Sequence, residues 1–162
     1  MRVLLTALVL GTLLAFPPGP AGRAGASVIP LGIPELTAQS DLCIRGEVID
    51  AVAEWTNGGN MIHTTYTIQT AETLMGTAAA LVKVRVPGGD RDGIHIRNAE
   101  APVYEPGEEV VCFLRPEPGL GTWATFGWFQ GKFTILNGMV RELPSTSYDA
   151  LRGQILQAAA NK

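Results

Sequence analysis

The stretch Val82–Ile96, VKVRVPGGDRDGIHI, carries residue types from which phosphate and calcium loops are built. A phosphate loop of the G-x-x-x-x-G-K-[ST] kind needs a Lys and a hydroxyl where a helix opens, so that backbone N–H groups and an ammonium face the phosphates. No Lys-Ser/Thr follows Gly93, and the next residues read as a strand. The dinucleotide fingerprint fails as well, because its glycine spacing and its helix are absent. In an EF-hand, Asp90 and Asp92 would take positions 3 and 5, which puts Gly88 at position 1 and Ala99 at position 12. Neither offers a side-chain oxygen, and the Glu at position 12 is what completes such a site. The expectation is a strand ended by Pro87 and a mobile, solvated loop whose Asp90, Arg91 and Asp92 meet a partner at the surface.

Other chemistries are as sparsely provided. His63 and His95 alternate with apolar neighbours and are expected to face solvent. A zinc site needs three or four ligands, so neither a metal nor any other cofactor is expected. Ser27, Ser40, Ser145 and Ser147 lie near the chain ends, and none sits in G-x-S-x-G. Glu105, Glu108 and Glu109 cluster around Gly107 and read as a solvated strand entry. Cys43 and Cys112 lie in apolar, strand-like runs, LCI and VVCFL, with no neighbouring His or helix start to lower a thiol pKa. They are expected to pair as a disulfide, the alternative being two buried thiols. No catalytic constellation emerges, so no enzyme is expected.

The segment Thr122–Phe133, TWATFGWFQGKF, is the densest in aromatics. Trp123, Phe126, Trp128 and Phe129, with Gln130 and Lys132, are candidates for an interaction surface. The competing reading is core. Alternation along a strand cannot bury both Trp128 and Phe129 on one face, so at least one is expected to be exposed or covered by a terminal helix.

Stepping along the 162 residues, Met1-Arg2 precedes an apolar run, Val3–Phe16, and then PPGPAGRAGAS. Ala24-Gly25-Ala26 presents small residues for signal peptidase, so residues 1–26 read as a signal peptide cleaved after Ala26. The run falls short of the roughly 20 residues a membrane span needs. The remaining chain, Ser27 to Lys162, is expected to be secreted or periplasmic. Without Arg2 and Arg23 it holds ten basic against 15 acidic residues. That balance argues against a nucleic-acid partner.

Pro34–Asp41 predicts a short helix after an extended start at residue 27. Leu42–Trp55 reads as a long strand, bent or bulged at Gly46, and Thr56–Asn60 as a hairpin turn into Met61–Leu74. Leu81–Val86 alternates as a half-buried strand, and Gly93–Arg97 as a short one. Glu108–Pro116 is apolar enough to be covered on both faces. Two or three short strands follow, with Asn137-Gly138 as a tight turn. Ser147 caps a final helix that presents Tyr148, Leu151 and Ile155 on one face. The boundaries are an N-terminal segment to residue 41, a β region 42–143 and a C-terminal helix 144–162. The class is mainly β, a small OB-like Greek-key barrel with a helix at each end.

The segments SDLCIRGEVIDAVAEW, IHTTYTIQTAETLMG, VKVRVPGGDRDG, APVYEPGEEVVCFLRP and FGWFQGKFTI, in this order, resemble a group of secreted bacterial domains of unassigned activity. That group is similar to the netrin-like barrel, the fold of tissue inhibitors of metalloproteinases. The resemblance implies a barrel in an extracytoplasmic setting. It does not carry inhibition, because those inhibitors chelate zinc through an N-terminal Cys, and the expected N-terminus here is Ser27. The resulting expectation is a non-enzymatic module that binds a protein partner in the envelope or outside the cell. The alternative is an accessory subunit of a larger extracytoplasmic complex. A hydrolase acting on cell-wall material, or an inhibitor, stands behind both.

Overall fold

The computed structural model describes residues 29–162, so the expected signal peptide, residues 1–26, lies outside the described residues. Pro34 opens the first turn of α1 (Ile33–Gln39), where a missing N–H costs nothing. The helix stops at Ser40, whose N–H and hydroxyl both donate to the Leu36 carbonyl, at 3.1 and 2.7 Å. Next come β1 (Leu42–Thr56) and β2 (Met61–Met75), rich in Val, Ile and Thr and paired antiparallel along their length. Their register shifts between Arg45 and Gly46, at the glycine expected to bend the strand. The chain continues through β3 (Leu81–Pro87), β4 (Gly89–Arg91), β5 (Ile94–Ile96), β6 (Glu109–Pro116), β7 (Trp123–Thr125), β8 (Lys132–Leu136) and β9 (Met139–Val140) to α2 (Tyr148–Ala160).

Seven strands form one sheet in the order β1-β2-β3-β7-β6-β8-β9, and β1 also pairs with β6. The contact of β3 with β7 is parallel and rests on a single bridge, Val84 to Trp123. Asn137 and Gly138, both left-handed (φ 52° and 75°), make the expected tight turn between β8 and β9. No described helix is long and apolar enough to cross a membrane.

Period-two alternation divides the core. Leu42, Ile44 and Val48 of β1 and Val110, Cys112 and Leu114 of β6 face one cluster, with Ile68, Val82, Val84 and Tyr104. Cys43, Val111 and Phe113 face the other, with Leu36 of α1 and Tyr148, Leu151 and Ile155 of α2. The apolar β6 run is thus covered on both faces, as its composition requires. Ser147 accepts a hydrogen bond from the Ala150 N–H at 3.2 Å and caps α2. The helix is tied down where Tyr148 and Arg152 donate to Glu72, at 2.5 and 2.6 Å, with the Arg45 guanidinium 4.3 Å from the Tyr148 ring centre.

The same alternation overturns the disulfide. Cys112 lies opposite Ile44, and Cys43 opposite Phe113. The offset of one residue sends the two thiols to opposite faces of the sheet, and both are free and buried. Burial pushes the Cys112 thiol up to about 12 and raises Cys43 well above its ordinary value.

Candidate functional site

The expected loop after Pro87 is a folded hairpin. β4 and β5 pair as Gly89–Ile96, Asp90–His95 and Arg91–Ile94 around a left-handed Asp92-Gly93 turn (φ 53° and 77°). Its charges are engaged within the chain. Asp92 accepts from Trp55 Nε1 at 2.8 Å, Arg91 donates to the Ala53 carbonyl at 2.9 Å, and Asp90 contacts His95. The glycines that read as loop therefore let β4 pack over the β1–β2 hairpin, where any Cβ on Gly89 would strike Thr64. The segment is thus a hairpin rather than a loop, and the Asp90, Arg91 and Asp92 side chains remain exposed at its surface.

The aromatic segment divides sharply. Trp123 packs half-buried on the inner cluster, and Phe126 packs on the helical one with the Arg115 guanidinium 4.1 Å from its ring centre. Gln130 accepts from the Leu31 N–H at 2.8 Å and donates to the Ile29 carbonyl at 3.3 Å, pinning the N-terminal segment. Lys132, expected at the surface, is buried: its ammonium lies 2.7 Å from Glu108, itself expected to be solvated. Gly131 permits this turn, since a Cβ there would collide with the Phe126 carbonyl. Trp128 and Phe129 alone of this segment's candidates point outward, 46% and 47% exposed. They start the 3-10 turn Trp128–Gly131, entered through left-handed Gly127 and Trp128 (φ 73° and 57°). For a bulky residue such a backbone costs about 1–2 kcal/mol. The Phe129 N–H donates to the Glu100 carbonyl at 3.1 Å, which seats the turn against the 98–103 loop.

Beside Trp128, beyond the one Val84–Trp123 bridge, lies a cleft of about 240 Å³ lined by residues of both β3 and β7. His63, Arg85, Pro87, Pro102, Glu117 and Trp128 line it. His63 pairs with Pro87, and Thr65 with Arg85, so His63 and Arg85 are diagonal neighbours on one face. Arg85 Nη1 is 3.4 Å from Glu117, whose other oxygen accepts from the Thr122 hydroxyl at 2.6 Å. The Thr56 hydroxyl lies 2.7 Å from His63 Nδ1 and 3.3 Å from the Met61 carbonyl. Partial burial and the Arg85 charge lower the His63 pKa, with Glu117 opposing, which keeps the ring neutral at pH 7. A second cavity, about 430 Å³, adjoins the cleft through shared Val86, Pro87 and Pro102 and runs under β4–β5 to Val103.

Arg85, Glu117 and Pro102 were not singled out in the sequence. Alternation in VKVRV puts Lys83 and Arg85 on the outer face, but their pairing with His63 needs the register. Among the described residues no group of three His, Cys, Asp or Glu comes together in a way that could hold a metal. A scan against protein-family models gives no match, and a search of curated proteins finds no match either.

Proposed function

We propose that this chain is an extracytoplasmic, non-enzymatic module that binds a protein partner through Trp128, Phe129 and the adjoining cleft. The observation that carries this reading is the adjacent pair of half-exposed aromatics on a backbone held left-handed at Trp128. A strained, solvent-facing Trp opposes stability, and large aromatics are the side chains that dominate protein interfaces. Around it, Val103 is also exposed and Pro102 forms a rigid wall. The scaffold is proposed to be a small OB-like barrel of the netrin-like kind. Its support is the circuit of pairings β1-β2-β3-β7-β6-β1, with β3 and β7 parallel and all other pairs antiparallel. An enzymatic reading gains little, because His63 is the cleft's imidazole and no Ser or Cys lines the cleft beside it.

The test is affinity capture from periplasmic and extracellular fractions of the native source, with wild-type bait beside a Trp128→Ala/Phe129→Ala variant of unchanged circular dichroism. One protein enriched by the wild type and lost with the variant is expected. Equal enrichment by both baits, or none by either, would refute the surface.

A further inference from the structure

The segment leading into α1 is tied to the aromatic turn by a single side chain. Gln130 Oε1 accepts from the Leu31 N–H at 2.8 Å, and its Nε2 donates to the Ile29 carbonyl at 3.3 Å. In an extended chain the C=O of one residue and the N–H of the second residue after it point to the same side. One carboxamide therefore bonds this segment as the peptide group of a neighbouring strand would. The N–H and C=O it meets also fix which way the carboxamide faces. Pro30, between them, lacks an N–H and holds φ at roughly −65°, so the segment is extended before it is clipped.

Side chains reinforce the tie. A Cβ on left-handed Gly127 would lie 3.0 Å from both Leu31 Cδ1 and Leu36 Cδ2, so these two leucines rest on the bare glycine that opens the turn. With the Phe129 N–H bonded to the Glu100 carbonyl, two separate stretches of chain hold the turn. Packing along the segment is thin: Ile29 is 78% exposed, and a cavity of about 430 Å³ is lined by Leu31, Gly32, Ile33 and Phe129. Trp128 needs such restraint, because its left-handed backbone is one that a bulky residue leaves when released.

We propose that residues 29–31 form a strap that holds Trp128 and Phe129 in their outward geometry, with Gln130 as its clip and a positioning residue of the docking surface. The inference rests on the docking reading above and adds what maintains that surface. Loosening the strap lowers partner affinity while both aromatics are still present. The dependence runs through main-chain groups and Leu31, so the exposed Ile29 side chain has no part in it.

The experiment is amide hydrogen exchange on the folded protein at pH 7, measured by solvent-exchange NMR for the wild type, Gln130→Ala, Leu31→Ala and Ile29→Ala. Loss of the clip's two hydrogen bonds should speed exchange of the amides at positions 129 and 130 about tenfold, since exchange follows the local opening equilibrium. Leu31→Ala should act in the same direction and Ile29→Ala should change nothing. Val111 and Phe113, in β6, should keep wild-type rates throughout. Unchanged exchange at 129 and 130 in both Gln130→Ala and Leu31→Ala overturns the strap. So does an equal effect of Ile29→Ala, or a rise shared equally by β6. In the affinity capture described above, Gln130→Ala bait should enrich the partner several-fold less than wild type. Undiminished capture alongside faster exchange overturns the positioning role. If the wild type captures nothing, the docking reading falls, and the exchange rates still judge the strap.

Discussion

Replacing Lys132 by Met removes one ammonium from the interior while keeping a long, unbranched stem, and the consequence follows from the surroundings. The Lys132 and Glu108 side chains are 5% and 12% exposed and 2.7 Å apart. Glu108 also accepts from the Thr134 hydroxyl at 3.1 Å, and the ammonium lies 5.3 Å from the Tyr104 ring centre. Without Lys132 the carboxylate keeps the Glu105 N–H at 3.2 Å, the Thr134 hydroxyl and the far more exposed Arg141, 3.5 Å away. Breaking a buried pair from one side costs about 3–5 kcal/mol, chiefly by stranding the other charge. Arg141 can swing inward to compensate in part, so a loss of about 3 kcal/mol is expected, a fall in Tm of roughly 10 °C. Glu108→Leu combined with Lys132→Met strands neither charge and should recover about 2 kcal/mol relative to the sum of the single losses. The assay is urea unfolding at pH 7 followed by tryptophan fluorescence, with a constant m-value confirming a like-for-like comparison. A Lys132→Met loss under about 1 kcal/mol, or a double variant no better than the summed singles, would refute the buried pair.

Two further outcomes test the helix anchor and the core. Hydrogen bonds from Tyr148 and Arg152 hold the Glu72 carboxyl below the usual range, so its contribution is present above the ordinary value of about 4.3 and is lost as pH falls through its lowered folded value. Glu72→Gln should therefore lower stability at pH 7 and flatten its decline between pH 5 and 3, read by urea midpoints; an unchanged acid slope would count against the anchor. Cys43 and Cys112 should resist iodoacetamide in the native protein and both react once it is unfolded without reductant. An intact mass lacking two hydrogens, or failure to alkylate after unfolding, would restore the disulfide.

What was legible in the sequence was whatever depends on neighbours along the chain. Strand-like composition located β1 and β2, alternation β3 and a continuous apolar run β6, while Asn137-Gly138 announced its turn, and Ser147 with Tyr148, Leu151 and Ile155 announced α2. Less legible was whatever depends on register. Each cysteine reads correctly as buried, but only the offset of one residue between β1 and β6 decides that they face apart. Glu108 and Lys132 read as surface because a lone charge in sequence implies water, and the partner that permits burial lies 24 positions away. The cleft is the extreme case: His63, Arg85, Glu117 and Trp128 come from four segments, and none carries a local signal of the others.

This difference bears on where the proposed recognition surface lies. In FGWFQGKF, Gln130 pins the N-terminal segment and Lys132 neutralises Glu108 beside Tyr104. The motif residues Tyr104, Glu108 and Lys132, which the sequence places in two separate segments, thus meet in the interior and serve the frame. Trp128 and Phe129, from the same short segment, turn outward because two successive left-handed residues reverse the chain just before the 3-10 turn. One stretch therefore has two roles separated by backbone geometry alone. On the proposed docking reading, exchanging Trp128 and Phe129 should alter binding at little cost in stability. Exchanging Lys132 should do the reverse.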